Sequence, residues 1–145
     1  MSEASLRVVL RGPNAGVEGA SEALRRFADA AALPADLLND LLVIVDEVIS
    51  NWLKYGRAGP RAPEMEIQAS VAAERLTLRF SDTGPAFDPL FAPSPDLDVP
   101  LDERPVGGLG LYLVRALTDS QHYARLDGRN VLDLSRSIEG RRRRR

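Results

Sequence analysis

The sequence has no cysteine and a single histidine, His122, among its 145 residues. The first absence excludes a disulfide framework, a thiolate metal site and a cysteine nucleophile together. The second leaves no room for a histidine metal cluster or a two-histidine catalytic device. No apolar stretch reaches about 18 residues without charge, so no membrane-spanning helix is expected. The start, Met1-Ser2-Glu3-Ala4-Ser5, lacks the basic residues and apolar run of a secretory leader. The expected location is the cytoplasm, with no membrane partner. Lysine is equally scarce: Lys54 is the only one.

Arginine supplies the rest of the positive charge, unevenly. Five of the 19 basic residues form the terminal run Arg141 to Arg145, which leaves 14 basic against 21 acidic residues, or −7, elsewhere. An acidic body argues against binding of the phosphate backbone, so no direct nucleic-acid partner is expected. Residues 138–145 read as a disordered, arginine-rich tail with no assigned function. Residues 1–137 read as one domain, a length that buries roughly two-thirds of its unfolded surface and folds without staples.

Leu6, Val8 and Leu10 alternate with Arg7, Val9 and Arg11, which predicts a short strand. Helical spacing of Val17, Ala20, Leu24, Phe27, Ala28 and Ala31 predicts a helix from Val17 to Ala32, closed by Leu33-Pro34. A second helix is expected from about Ala35 to Tyr55, with Asp36 at its start and Gly56 as its cap. Its apolar residues cover more than half its circumference, so it is central and mostly buried. Met65 to Val71 and Leu76 to Phe80 predict a hairpin around Ala73-Glu74, and Gln121 to Leu126 with Asn130 to Ser135 a second around Asp127-Gly128. Between them lies a long Pro/Asp/Gly-rich segment, Asp82 to Pro105, of the kind that forms a lid. Gly107-Gly108-Leu109-Gly110 then opens a helix through about Thr118. The fold class expected is α/β (α+β): a two-layer sandwich, its mixed sheet mostly antiparallel, with helices on one face.

Three stretches carry chemistry, each with a plain alternative. Glu47 and Asn51 lie four apart on the second helix and Lys54 three further on, so a carboxylate, an amide and an ammonium share one side. The plain reading is a solvated stripe. Asp82-Thr83-Gly84 ends a strand. The carboxylate suits an exocyclic amine and the glycine lets backbone pass close to a flat ring, but Asp-x-Gly is also common in turns. The run from Gly107 to Gly110 points backbone N–H groups and a helix N-terminus toward a phosphate. It follows no strand and has no Gly-Lys-Ser/Thr ending, and a lid hinge accounts for it equally well.

In this order the three stretches resemble the GHKL (Bergerat-fold) ATPases, over about Leu6 to Ser135. Glu47 four residues before Asn51, together with Arg104-Pro105-Val106-Gly107-Gly108-Leu109-Gly110-Leu111 and Asp127-Gly128-Arg129-Asn130-Val131-Leu132, looks like the anti-sigma-factor serine kinase branch. The resemblance implies ATP and Mg²⁺ as cofactors. It makes Asn51 the Mg²⁺ ligand, Glu47 the general base, Asp82 the acceptor for the adenine amine and Gly84 the point of close approach to the base. Gly107, Gly108, Leu109 and Gly110 would wrap the triphosphate, residues about Phe87 to Val106 would form the lid, and Lys54 would stand near the phosphates. Asn130, both donor and acceptor, would be a further ATP-binding residue, near the position where many relatives carry a threonine that reaches adenine through water. Trp52 follows Asn51 where a small residue is frequent, and Asp133 is expected to face solvent.

The implied function is phosphorylation of a serine on a STAS-domain anti-anti-sigma protein, with sequestration of a sigma factor or comparable target. A homodimer is the further partner state the resemblance implies. The same residues suit a nucleotide-gated binding switch without phosphotransfer. A detached catalytic domain of a sensor kinase fits less well, because Glu47 occupies the base position and no acceptor-histidine segment accompanies it.

Overall fold

The strand predicted at the start runs Ala4–Arg11 (β1) and pairs antiparallel with Glu64–Ala72 (β2), although two helices separate them in sequence. The structure is a computed structural model and describes residues 4–11, 17–55, 63–91 and 108–138. Its remaining elements are α1 (Val17–Ala30), α2 (Ala35–Tyr55), β3 (Arg75–Asp82), α3 (Gly108–Ala116), β4 (Ser120–Leu126) and β5 (Arg129–Ser137). A single 3-10 turn, Pro89–Phe91, follows β3. The five strands form one antiparallel sheet in the order β1-β2-β3-β5-β4. The expected α+β architecture is therefore present. Gly56, the expected cap of α2, lies outside the described residues, as do most of the lid and the arginine tail.

Period-two alternation decides which side of the sheet is covered. Leu10, Met65, Ile67, Ala69, Leu76, Leu78, Phe80, Leu132 and Leu134 are buried on one face. The helices supply the opposing layer through Leu24, Phe27, Leu41, Ile44, Val48, Ile49 and Val114, which join the same core. On α2 the buried positions Leu37, Leu41, Ile44, Val45, Val48, Ile49 and Trp52 follow the three-four spacing of a helix face. Its neighbours α1 and α3 pack against it, which makes it the central helix expected from its composition. Among the described side chains of α2, Val43 is the one large apolar residue that is exposed.

The other face of the sheet is polar. Arg79 holds Asp133 with two hydrogen bonds of 2.7 and 2.9 Å, Arg11 pairs with Glu64 at 3.1 Å, and Arg7 pairs with Glu66. Asp133 thus faces outward as expected, with Arg79 as its cross-strand partner. Such exposed pairs contribute about 0–1 kcal/mol each, so they keep this face solvated more than they hold it together.

Of three local features, the end of α1 and the extent of β5 depart from the sequence reading, while both hairpin turns fall where it placed them. Helix α1 ends at Ala30: Leu33 N–H donates to Ala28 O and Ala32 N–H to Asp29 O, with Ala32 at φ 54°. That is the hydrogen-bond pattern of a Schellman cap, built here on alanine where glycine is usual, and Pro34 follows it. The β2–β3 turn places Ala73 and Glu74 at φ 51° and 59°, and the β4–β5 turn places Asp127 and Gly128 at 51° and 76°. Two successive positive φ values are what a two-residue type I′ turn requires. Strand β5 continues beyond Ser135 to Ser137 and turns Arg136 inward. Its buried guanidinium donates to Asp40 Oδ2 at 2.6 Å and to Leu117 O at 3.3 Å, so one side chain links β5, α2 and the end of α3.

Candidate functional site

On β3 the inward row runs Leu76, Leu78, Phe80 and then Asp82, so the alternation that builds the core delivers a carboxylate at the strand's end. Asp82 pairs with Met65 on β2 and with Asn130 on β5, both inward-facing. The second half of α2 lies over this end of the sheet. Between them is a pocket with an apolar wall of Val48, Trp52, Met65, Phe80 and Leu132. Its polar groups are Asn51, Asp82, Tyr123 and Asn130, and Phe87 and Pro89 reach it from the segment after β3. A mostly apolar cleft with a few convergent polar groups is the usual form of a small-molecule site.

The carboxylate is held from several sides. Asp82 Oδ1 accepts from Gly84 N at 2.8 Å and from Asn130 Nδ2 at 3.1 Å. Burial pushes its pKa up; the hydrogen bonds from Asn130 and Gly84 and the charges of Arg125 and Arg129 oppose that rise. Arg125 of β4 donates to Gly84 O at 2.7 Å, and Thr83 exchanges hydrogen bonds with the Glu64 backbone of β2, so the Asp-Thr-Gly stretch is fixed from both sides. On the opposite face Arg129 donates to Ser81 Oγ at 2.6 Å and pairs with Glu64 at 3.3 Å. The hydrogen bond from Arg11, then that from Arg129, holds the Glu64 carboxyl below its ordinary range.

Glu47 is half-buried one helical turn before Asn51 and does not line the pocket itself. Burial raises its pKa most, the neighbouring Asp46 charge adds to the rise, and Lys54 opposes it. Lys54 is exposed in the last turn of α2, and its charge reaches Glu47. Gly108, Leu109 and Gly110 form the first residues of α3, while Gly107 lies outside the described residues. Arg115 of α3 donates to Leu90 O, which ties this helix to the start of the expected lid. The structure therefore brings Asn51, Asp82 and Asn130 to one pocket, with Glu47 one turn before Asn51 on the covering helix and Lys54 one turn beyond it. Among the described residues no group of three or more His, Asp or Glu side chains forms a metal cage.

Tyr123 is the site residue that sequence reasoning passed over. The signal was available in part: a two-residue turn at Asp127-Gly128 sets Tyr123 opposite Leu132, and so inward. Its reach to Asn130 is a diagonal contact that alternation alone does not specify. Trp52 packs into the apolar wall, and its Nε1 is buried without a hydrogen-bond partner among the described residues.

An antiparallel sheet covered on one face by helices, with a pocket between helix and strand ends at one edge, is the α+β architecture of GHKL domains. The sequence matches the histidine kinase-like ATPase domain family over residues 13–136, and the chain belongs to that family. Among curated relatives it is similar to the serine/threonine-protein kinase BtrW of Bordetella bronchiseptica, with 30% identity over 95 residues. That alignment covers 66% of this chain and 67% of the relative. It is also similar to the serine-protein kinase RsbW of Listeria monocytogenes, with 29% identity over 101 residues, covering 66% of this chain and 64% of the relative. The chain thus spans about two-thirds of the length of these relatives. Its fold is shared with the crystal structure of the RsbU and RsbW domains of a Mycobacterium tuberculosis protein, at a TM-score of 0.66 and 14% identity. That match covers 92% of this chain and 32% of the other. No helix among the described residues is long and apolar enough to cross a membrane.

Proposed function

We propose that this chain is an ATP-dependent serine protein kinase and anti-sigma-type regulator. It phosphorylates a serine on a STAS-domain anti-anti-sigma partner and sequesters a sigma factor when unopposed. The observation that carries this reading is the pairing of one pocket containing Asn51 and Asp82 with a half-buried carboxylate, Glu47, one turn earlier on the covering helix. The serine-kinase relatives support it.

The residues present fit a magnesium nucleotide. Mg²⁺ is bound through few protein oxygens and otherwise by phosphates and water, and Asn51 offers one such oxygen, with no acidic cage around it among the described residues. When bound, the ion would supply charge neutralisation on the phosphates. Asp82 accepts the adenine amine from a pocket too apolar to solvate that amine otherwise. Gly108, Leu109 and Gly110 offer N–H groups to the phosphates at the start of α3. Glu47 takes the proton of the partner's serine hydroxyl as its oxygen bonds to the γ-phosphorus. The bond from that phosphorus to the bridging oxygen breaks, and ADP leaves. The raised pKa of Glu47 suits a base that must accept a proton and later release it.

Intact mass of a STAS-domain protein encoded near this gene, after incubation with this chain and Mg-ATP, tests the proposal directly. One phosphate gained on serine is the expected result. Bound ATP with no gain across candidate partners would favour a nucleotide-gated binding switch. For Asp82→Ala, ATP affinity should fall by about ten- to a hundredfold while affinity for inorganic tripolyphosphate stays within about twofold. Equal losses for the two ligands would contradict the adenine assignment.

A further inference from the structure

Asn130 is buried, at 6% exposure, directly opposite Asp82 in the β3–β5 ladder. A side-chain amide has two N–H donors and two acceptor lone pairs. Here all four are engaged by the protein. Nδ2 donates to Asp82 Oδ1 at 3.1 Å and to Pro85 O at 2.9 Å. Oδ1 accepts from Phe87 N at 3.1 Å and from the Tyr123 hydroxyl at 2.5 Å. One amide therefore joins the end of β3, two points of the segment that leaves it, and β4. It has no valence left for a ligand.

The consequence falls on two neighbours that line the pocket. Asp82 Oδ1 receives both Asn130 and Gly84, which orients the carboxylate and leaves Oδ2 without a hydrogen bond among the described residues. Phe87, 41% exposed, has its backbone held by the same amide, so the position of its ring is referred to the position of the carboxylate. A flat heterocycle recognised by an edge acceptor and an aromatic face needs those two groups at a fixed separation. A leucine at position 130 would supply neither donors nor acceptors, and an aspartate would set a second carboxylate against Asp82.

We propose that Asn130 and Tyr123 are positioning residues for base recognition, which lock Asp82 and Phe87 into one geometry and thereby set the preference for a 6-aminopurine. The inference deepens the nucleotide-binding reading above and rests on it. Tyr123 acts by presenting its hydroxyl to Asn130 Oδ1, which fixes the amide's orientation. Asn130 acts on the nucleotide only through Asp82 and Phe87.

The test compares the full chain with Tyr123→Phe and Asn130→Ala, each checked for native circular dichroism. The ligands are Mg-ATP, the triphosphate of purine riboside (which lacks the 6-amino group) and inorganic tripolyphosphate. The unaltered chain should prefer ATP over the purine riboside analogue by about tenfold or more. Both variants should lose about tenfold or more in ATP affinity, less toward the purine riboside analogue, which loses only the Phe87 face, and no more than about twofold toward tripolyphosphate, so the preference narrows. A merely structural role would weaken all three in parallel, and that outcome, or an unchanged preference, overturns the proposal. Should Asn130→Ala fail to fold, Tyr123→Phe, which removes one oxygen, decides the matter by itself. Failure of the unaltered chain to bind ATP would overturn the nucleotide reading and this inference with it. ATP binding by the unaltered chain with an intact preference in the variants would overturn this inference alone.

Discussion

Asn51→Ala is expected to abolish Mg²⁺-dependent ATP binding, with a loss of at least about a hundredfold in affinity. The side chain stands on α2 where it turns into the pocket opposite Asp82. The described residues contain no acidic cluster that takes over the metal when the amide is removed. Alanine is the best helix former, and Asn51 is only half-buried, so the helix and the core stripe beside it survive the change. Calorimetric titration with ATP, in Mg²⁺ and then in excess chelator, separates the two contributions. The original chain should bind tightly only with metal, and the variant should bind weakly and equally in both. Retention of the full Mg²⁺ enhancement by the variant would remove Asn51 from the metal site.

Glu47→Ala should leave ATP affinity within about twofold and lower phosphotransfer by about 10²- to 10⁴-fold, the range that positioned general bases contribute. The expectation of unchanged binding comes from geometry, because Glu47 lies one turn away from Asn51 and does not line the pocket. Glu47→Gln keeps the shape and removes the base, so it should match the alanine variant in rate. The pH dependence has a definite sign. A base works deprotonated, so transfer should fall as pH drops through the folded-state pKa of Glu47. Burial and the Asp46 charge raise that pKa above 4.5, and the acidic limb should therefore lie above the ordinary glutamate range. Single-turnover transfer across pH checks this, and an acidic limb that persists in Glu47→Gln would place the titrating base elsewhere.

Much of the site's raw material was legible because its determinants are local. The spacing of Glu47 and Asn51 on a helix follows from the 3.6-residue repeat, which any long apolar-periodic segment obeys. Asp82 ends an alternating strand, so its phase was set by Leu76, Leu78 and Phe80. The two-residue turns at Ala73-Glu74 and Asp127-Gly128 were readable from the breaks in alternation, although Ala73 and Glu74 carry positive φ without a glycine to signal it. Alternation also predicted the outward placement of Asp133, while its partner Arg79 became known only once β3 and β5 were paired.

The sequence by itself determined the elements, the buried face of each and the residue types at the ends of α2 and β3. Only the tertiary structure decided which of those ends meet. Strand β5 enters the sheet between β3 and β4, and that order sets Asn130 against Asp82 on one side and within reach of Tyr123 on the other. Read along the chain, Asn130 is a polar residue after a turn, 48 positions from Asp82. Its four hydrogen bonds exist because a buried amide must be satisfied wherever long-range pairing places it, and periodicity carries no information about that placement. The inward turn of Arg136 toward Asp40, across 96 positions, has the same origin. Hydrophobic pattern specifies faces, and the closing of loops between distant strands specifies neighbours.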